Sequence, residues 1–112
     1  MEDCVFCKII KGDIPSKKVY EDDDILAFYD INPIAKVHVL VIPKKHITSL
    51  LELKEEDKDL LFHIFNKINE IAEIVGVAKT GFRVISNVGE DSGQAVKHLH
   101  FHILGGEKLP TR

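Results

Sequence analysis

Three histidines near the end of the chain, His98, His100 and His102, alternate with apolar residues. Successive side chains on a β-strand point to opposite faces, so this alternation predicts a strand that carries three imidazoles on one face. The apolar residues of the other, buried face are Leu99, Phe101 and Ile103. Because an unperturbed imidazole has a pKa of about 6.5, such a row can transfer protons or act as a nucleophile near neutral pH.

Two simpler interpretations of the histidine row are a solvent-facing histidine without a function and a compositional metal-binding tract. A metal-binding tract needs no apolar phasing, whereas here every second residue is a core former. A single three-histidine metal site is also difficult to build, because at roughly 3.3 Å per residue His98 and His102 would stand about 13 Å apart along a flat strand. The pattern therefore favours a functional histidine strand.

Only two cysteines occur, Cys4 and Cys7, and their spacing suits a shared metal ion or a redox couple better than a disulfide that holds the fold. A redox pair of this kind needs a helix that follows a strand. Almost nothing precedes Cys4, so the redox interpretation is the least favoured.

The chain as a whole, 112 residues long, is predicted to form a single domain over residues 1–112. Its net charge of -3, from 15 basic and 18 acidic residues, gives no basic surface of the kind that a nucleic-acid-binding protein needs. No signal region and no apolar stretch of membrane-spanning length is seen. We therefore expect a cytoplasmic protein without nucleic-acid or membrane partners.

The elements that must position these residues follow from apolar periodicity. Helical spacing predicts a short helix from Cys4 to Lys11 and a long helix from Glu55 to Val75. Thr48 is expected to cap a brief helical turn, and His63 falls on the polar face of the long helix, where no site role is expected. Strands are predicted at Lys18–Glu21, Ile25–Asp30, His38–Ile42, Gly81–Asn87 and His98–Leu104. This order predicts an α+β domain with an antiparallel sheet of about five strands.

The motif His98–Leu104, continued by Gly105 and Gly106, resembles the signature of the histidine triad family, and in particular its nucleotide-binding branch of purine nucleoside phosphoramidases. The resemblance extends over nearly the whole chain. Its further stretches are Phe6–Ile10, Ile14-Pro15, Tyr20–Asp23, Ala27–Ile31, Leu40–Ile47, Asn87–Gly89 and Gly93-Gln94. The fold it implies is the same α+β domain with one long helix and a short N-terminal helix.

This resemblance implies a nucleotidyl hydrolase or transferase that cleaves nucleoside 5′-phosphoramidates or related nucleotidyl esters at the α-phosphate. His100 would attack phosphorus and form a nucleotidyl-histidine intermediate that water then hydrolyses. His102 would hydrogen-bond a phosphate oxygen, and His38 would contact and orient the nucleophile. An AMP-like purine nucleotide and a second copy of the chain, in a homodimer, are the partners that the family implies.

The substrate-binding positions are also carried over from the family. Asp30 matches the residue that binds the ribose hydroxyls. The apolar slot for the purine would be formed by Phe6, Ile14, Phe28 and Ile31. Phosphate-contacting positions are matched by Asn87 and Gln94, with backbone N–H groups near Gly93 and Gln94 offsetting charge in the transition state.

Two departures from the eukaryotic branch bear on these expectations. That branch has a serine where this chain has Ala95, so one hydrogen-bond donor near the leaving group is missing. The tail from Lys108 to Arg112 lacks the tryptophan-containing end that reaches across the dimer in that branch. Substrate selection is therefore expected to differ.

Some bacterial-type members of the family bind zinc through a Cys-x-x-Cys pair, a later histidine and the first triad histidine. The matching residues here are Cys4, Cys7, His46 and His98. Such a set closes a tetrahedral structural site and would fix the start of the histidine strand. The alternative is two small buried cysteines in a helix and a solvent-facing His46. No organic cofactor is implied.

A second candidate function is a non-catalytic regulatory or scaffold protein that binds purine nucleotides. A third is a zinc-dependent structural protein. This third interpretation leaves His100 and His102 without a task.

Overall fold

The computed structural model describes residues 3–111 and has the predicted order of helices and strands. The two helices are α1 (Val5–Lys11) and α2 (Lys58–Ile74). The five strands are β1 (Lys18–Glu21), β2 (Ile25–Tyr29), β3 (Val37–Pro43), β4 (Phe82–Ile85) and β5 (Phe101–Gly105). Short 3₁₀ turns lie at Leu50–Glu52, Glu55–Asp57 and Glu90–Ser92.

The strands form one antiparallel sheet in the order β1-β2-β3-β5-β4. Strand β3 lies at its centre, and its run from His38 to Pro43 is buried on both faces. The register pairs Leu40 with His102 and Val39 with Ile103, which brings the two histidine-bearing strands side by side. The predicted α+β class, with a five-stranded antiparallel sheet, one long helix and a short N-terminal helix, is confirmed.

Each face of the sheet packs against one helix. Residues on the α2 face include Val39, Val41, Phe101 and Ile103, which pack with Ile64, Ile68 and Ile71 of α2. The α1 face is smaller and consists of Phe6, Ile9, Leu26, Phe28, Leu40 and Ile42. Because apolar residues are buried on both faces, β3 needs the nearly continuous apolar run that its sequence has.

Helix α1 begins after Cys4, whose Sγ accepts a hydrogen bond of 3.3 Å from the Cys7 N–H. It ends at Gly12, whose φ of +90° lies in the left-handed region that glycine adopts without strain. Since Phe6 and Ile9 are buried against the sheet, the helix holds its N-terminal cysteines next to the histidine segment.

The histidine strand is shorter than predicted, because β5 begins at Phe101 rather than at His98. Continuing the register would place Leu99 opposite Pro43, which has no N–H group and cannot extend the ladder. The Leu99 N–H instead donates to the Ile47 carbonyl at 2.6 Å. The alternation of faces still holds, since Leu99 and Phe101 are buried in the α2-face core.

Other boundaries differ by a few residues. The predicted long helix begins with the 3₁₀ turn Glu55–Asp57, and α2 proper begins at Lys58. The side chain that caps the 3₁₀ turn Leu50–Glu52 belongs to Ser49, not to Thr48, since Ser49 Oγ accepts the Leu51 N–H at 3.2 Å. Strand β4 ends at Ile85, so Asn87 lies beyond it.

Within residues 3–111, neither helix combines the length and the apolar character that crossing a membrane would require.

Candidate active site and metal centre

A cavity of about 490 Å³ opens beside α1 and the loop that joins β2 to β3. Six of the predicted substrate-binding residues line it, namely Phe6, Ile14, Phe28, Asp30, Ile31 and Ala95. His38, His100 and His102 line it as well. The walls are mostly apolar, and Asp30 is the one carboxylate among the described lining residues.

The remaining predicted phosphate contacts, Asn87, Gly93 and Gln94, are not among the lining residues of this cavity. Gln94 instead makes hydrogen bonds within the protein: its Oε1 accepts the Gly89 N–H at 2.8 Å, and its Nε2 donates to the Val96 carbonyl of its own loop and to the Thr48 carbonyl of the segment after β3. The backbone N–H groups of Gly93 and Gln94 also donate within the loop. In the part of the chain that the structure describes, no hydrogen bond uses the N–H of Ala95, which leaves it as a donor beside the cavity.

The ring of His100 is oriented by a backbone carbonyl. Its Nδ1 lies 2.6 Å from the His98 carbonyl oxygen, and because a carbonyl can only accept, Nδ1 carries the proton and donates. In the neutral ring the lone pair is then on Nε2. Phe6 of α1 packs edge-on against this imidazole at a centroid distance of 5.1 Å. His100 is therefore held in the tautomer that a nucleophile requires.

His38 and His102 form a directly hydrogen-bonded pair, with His38 Nε2 2.9 Å from His102 Nδ1. The Ile34 N–H donates to His38 Nδ1 at 3.1 Å, so that nitrogen is unprotonated and His38 carries its proton on Nε2. His38 therefore donates to His102, whose proton must then lie on its own Nε2. This Nε2 is buried and has no hydrogen-bond partner among residues 3–111. An unpaired buried donor beside a cavity is a feature that a ligand acceptor would satisfy.

The three cavity histidines are neutral at pH 7. Burial lowers the pKa of His38 and of His100, and the negative charge of Asp30 opposes this in both. The pKa of His102 is lowered to about 4, first by burial and then by the neighbouring His100 and His38. Because protonation is disfavoured, the Nε2 lone pair of His100 stays available for attack at neutral pH.

A second cluster lies next to the cavity, where the four predicted metal ligands Cys4, Cys7, His46 and His98 converge. Their ligand atoms all lie within 4.8 Å of one another. His98 Nδ1 is 3.3 Å from Cys4 Sγ and 3.6 Å from Cys7 Sγ, and His46 Nδ1 is 3.3 Å from Cys7 Sγ. Sulfur and nitrogen ligands around one tetrahedral zinc ion stand about 3.5 Å apart. The spacing of this cluster therefore fits a metal ion.

The tautomer of His98 fits metal binding too. Its Nε2 lies 2.8 Å from the Pro43 carbonyl oxygen, so Nε2–H donates there and the lone pair is on Nδ1, which faces the two thiols. A ligand histidine whose other N–H is bound to a backbone carbonyl is the usual arrangement in metal sites. His98 is fully buried, although the sequence predicted burial only for the opposite face, that of Leu99, Phe101 and Ile103.

The structure adds residues that the sequence reasoning missed. Leu40 lines the cavity, and the period of a strand that starts at His38 could have placed it there. Ile34 and the Pro43 carbonyl orient the rings of His38 and His98 through the backbone, for which a sequence has no signal. His63 lies outside the cavity, and its Nε2 contacts Asp22 Oδ2 at 2.7 Å, which joins α2 to the β1–β2 turn.

Comparison with known proteins gives consistent matches. A family model described as "Scavenger mRNA decapping enzyme C-term binding" matches residues 3–110. An uncharacterized HIT-like protein of Rickettsia prowazekii is 48% identical over 106 residues, which cover 94% of this chain and 88% of that protein.

Two solved structures show the same fold over the full length of this chain. A histidine triad protein from Clostridium difficile has a TM-score of 0.96 and 56% identity, and the match covers 100% of this chain and 97% of that one. A HIT family hydrolase from Clostridium thermocellum has a TM-score of 0.96 and 47% identity, with the same coverage.

Proposed function

This chain belongs to the histidine triad family, and on that premise we propose that it is a hydrolase or transferase acting on purine nucleotides. It would cleave nucleoside 5′-phosphoramidates or related nucleotidyl esters at the α-phosphate. The observation that carries this proposal is the fixed tautomer of His100, whose Nδ1–H is bound to the His98 carbonyl so that Nε2 holds a lone pair beside the cavity. The similarity to HIT family hydrolases supports a hydrolytic reaction.

In the first step, the lone pair of His100 Nε2 attacks the α-phosphorus and a nitrogen–phosphorus bond forms. The bond from phosphorus to the leaving amine breaks, and the amine keeps the electron pair and takes a proton from water. The imidazole, with Nδ1–H still bound to His98, then carries a positive charge. In the second step water attacks phosphorus and the bond to His100 breaks, with its electron pair returning to Nε2 to restore the neutral imidazole. The proton lost by the attacking water neutralises the hydroxide left by the first step.

The substrate would lie with its purine among Phe6, Ile14, Phe28 and Ile31, and with its ribose hydroxyls at Asp30. His102 would offer its unpaired Nε2–H to a phosphate oxygen, and the N–H of Ala95 would act as a further donor. Preorganised donors of this kind stabilise the charge that develops in the transition state. Contacts of Asn87, Gly93 and Gln94 with phosphate remain predictions, because these residues lie outside the cavity lining.

We also propose that Cys4, Cys7, His46 and His98 hold a structural zinc ion. Four protein ligands leave no open coordination position, so the metal would stabilise the fold rather than bind substrate. It would tie the N-terminus of α1 to the segment that leads into β5. An elemental measurement on protein purified without chelator is expected to give about one zinc per chain. Well under one zinc would remove this proposal.

A homodimer is proposed from the family, and exposed apolar side chains support it. Phe62 of α2 is 72% exposed, Phe65 is 45% exposed, and Val84 on the edge strand β4 is 37% exposed. Light scattering coupled to size-exclusion chromatography should give twice the mass of one chain. The variant Phe62→Lys should lower the measured mass toward that of a monomer. A wild-type monomer at micromolar concentration would contradict the dimer. The cytoplasmic location and the lack of nucleic-acid and membrane partners also stay predictions.

Turnover measurements test the function against the alternative of a non-catalytic purine-nucleotide-binding regulatory or scaffold protein. The wild type is offered adenosine 5′-phosphoramidate, a diadenosine polyphosphate, and a sugar-1-phosphate with a nucleoside diphosphosugar. We expect release of AMP in the first reaction, and calorimetry should show that His100→Ala still binds AMP. Binding of AMP by the wild type without turnover of any of the three would favour the scaffold function.

A further inference from the structure

Asp30 is placed to act on the cavity histidines as well as on the substrate. Its Oδ2 lies 3.4 Å from His38 Nε2, and that nitrogen is in turn 2.9 Å from His102 Nδ1. The ring centroids of His100 and His102 are 5.0 Å apart, so the row continues to the proposed nucleophile. The Asp30 side chain is 19% exposed and that of His38 only 3%, so the contact lies largely out of water.

Both carboxylate oxygens of Asp30 face donors. Oδ1 accepts the Asn32 N–H at 2.8 Å, which fixes the orientation of the carboxylate at the end of β2. Oδ2 then faces His38 Nε2, which carries a proton because the Ile34 N–H occupies Nδ1. An asparagine here would have one oxygen only, and its NH₂ group would face either the Asn32 N–H or the His38 Nε2–H. Only the carboxylate suits both neighbours.

From this geometry we propose that Asp30 is a positioning residue of the chemical step, in addition to any contact with ribose. Its carboxylate is a second, more distant acceptor for the His38 Nε2–H that donates to His102, and its negative charge favours a proton on that nitrogen. His102 then keeps its own proton on Nε2, the atom that would meet the phosphate oxygen. The carboxylate is also the negative group next to the three cavity histidines, and His100 becomes positively charged in the proposed covalent step. This role rests on the proposed function, but it does not depend on ribose hydroxyls.

Charge supports the same assignment. Burial lowers the pKa of His38 and of His102, and the negative charge of Asp30 opposes the shift in both. Among the described residues that line the cavity, no other carboxylate is present. A positive charge that forms on the His100 imidazole in the proposed reaction would therefore have Asp30 as its counter-charge.

The kinetic test includes a substrate without ribose hydroxyls, so that a loss of ribose binding by Asp30 cannot explain the result. We compare three proteins on adenosine 5′-phosphoramidate and on its 2′,3′-dideoxy analogue: the wild type, Asp30→Asn and Asp23→Asn. Asp23 is an exposed turn residue outside the cavity, so Asp23→Asn is the control. We expect Asp30→Asn to lower kcat about tenfold or more on both substrates, and Asp30→Glu to recover part of it. The proposal would be overturned if Asp30→Asn had the same kcat as the wild type on the dideoxy analogue and differed from it only by a raised KM on the ribose substrate.

A second readout needs no turnover. Nitrogen-15 NMR of histidine-labelled protein is expected to show His102 in the Nε2–H tautomer in the wild type and in Asp23→Asn, and a mixture of tautomers in Asp30→Asn. An unchanged His102 tautomer in folded Asp30→Asn would also overturn the proposal. If the wild type turns over no nucleotidyl substrate, the proposed function fails, and the NMR comparison still decides the effect of Asp30 on His102.

Discussion

His98 and His100 are two residues apart, on the same face of the chain, and both are buried. Their rings nevertheless differ in which nitrogen donates a hydrogen bond and in what the other nitrogen faces. His98 gives its Nε2–H to the Pro43 carbonyl and turns Nδ1 toward two thiols. His100 gives its Nδ1–H to the His98 carbonyl and keeps a free Nε2 beside the cavity. The difference comes from the backbone oxygen that each ring meets, since this oxygen decides which nitrogen is protonated.

This comparison separates two regions of the molecule. The Cys4–Cys7–His46–His98 cluster brings its four candidate ligand atoms within 4.8 Å of one another, a spacing that suits a structural metal site. The His38–His100–His102 cluster is open and leaves a buried donor unpaired at His102. The proposed metal ligand His98 and the proposed nucleophile His100 can therefore come from one short segment, because a different carbonyl fixes each ring.

The largest expected effect comes from single mutations that should alter one of the two regions and leave the other intact. His100→Ala should lower turnover by about 10³-fold or more, because no other nitrogen can form the covalent intermediate, while the zinc content stays near one per chain. His98→Ala should instead lose the metal. Steady-state kinetics and elemental analysis on the same samples measure both. Loss of zinc in His100→Ala, or a full zinc content in His98→Ala, would contradict the proposed separation of the metal site from the catalytic site.

Removal of the metal should act on stability. Chelation, or the variant Cys7→Ala, is expected to lower the free energy of unfolding by about 3 kcal/mol, or roughly 10–15 °C in the thermal midpoint, because metal binding is coupled to folding. Differential scanning calorimetry with and without chelator gives the shift. The control is chelator added to Cys7→Ala, which should produce no further change. A wild-type midpoint that does not respond to chelator would refute the structural role.

Acid should weaken the open cluster. The pKa of His102 is lowered to about 4 in the folded state, mainly by burial, whereas an unfolded histidine has a pKa of about 6.5. The unfolded state therefore binds more protons between these values, so stability is full above about pH 6.5 and falls as the pH drops toward about 4.

Urea unfolding at several pH values measures this loss, in the Cys7→Ala background so that release of metal does not contribute. The variant His102→Gln should show a shallower decrease than its parent over the same range. An equally steep decrease in the two proteins would mean that His102 does not titrate as described.

The smallest expected effect concerns the departure at position 95. Ala95→Ser adds a hydroxyl donor next to the backbone N–H that already lies beside the cavity, and we expect it to raise kcat on the phosphoramidate by up to about tenfold. Parallel assays on a nucleotidyl ester show whether the gain is specific to the nitrogen leaving group. An unchanged or lower kcat on the phosphoramidate would mean that the serine has no such role here.

Most of the fold could be predicted from the sequence because apolar periodicity fixed the helices, the strands and their buried faces. The extent of the histidine strand could not, because it depends on Pro43 in a partner strand, which removes one ladder donor. The cluster of Cys4, Cys7, His46 and His98 was predicted through the family resemblance, since Cys4 and His98 are far apart in sequence. The tautomers and the Asp30–His38 contact depend on atomic positions and needed the structure.

The most direct test of the account is the site of the covalent intermediate. Wild-type protein is mixed rapidly with adenosine 5′-phosphoramidate and quenched under denaturing alkaline conditions, and its peptides are mapped by tandem mass spectrometry. The proposed mechanism predicts an adenylyl group, joined through its phosphorus, on His100 and no such group on His98 or His102. An adduct on another residue, or steady turnover with no adduct on His100 at any reaction time, would contradict it.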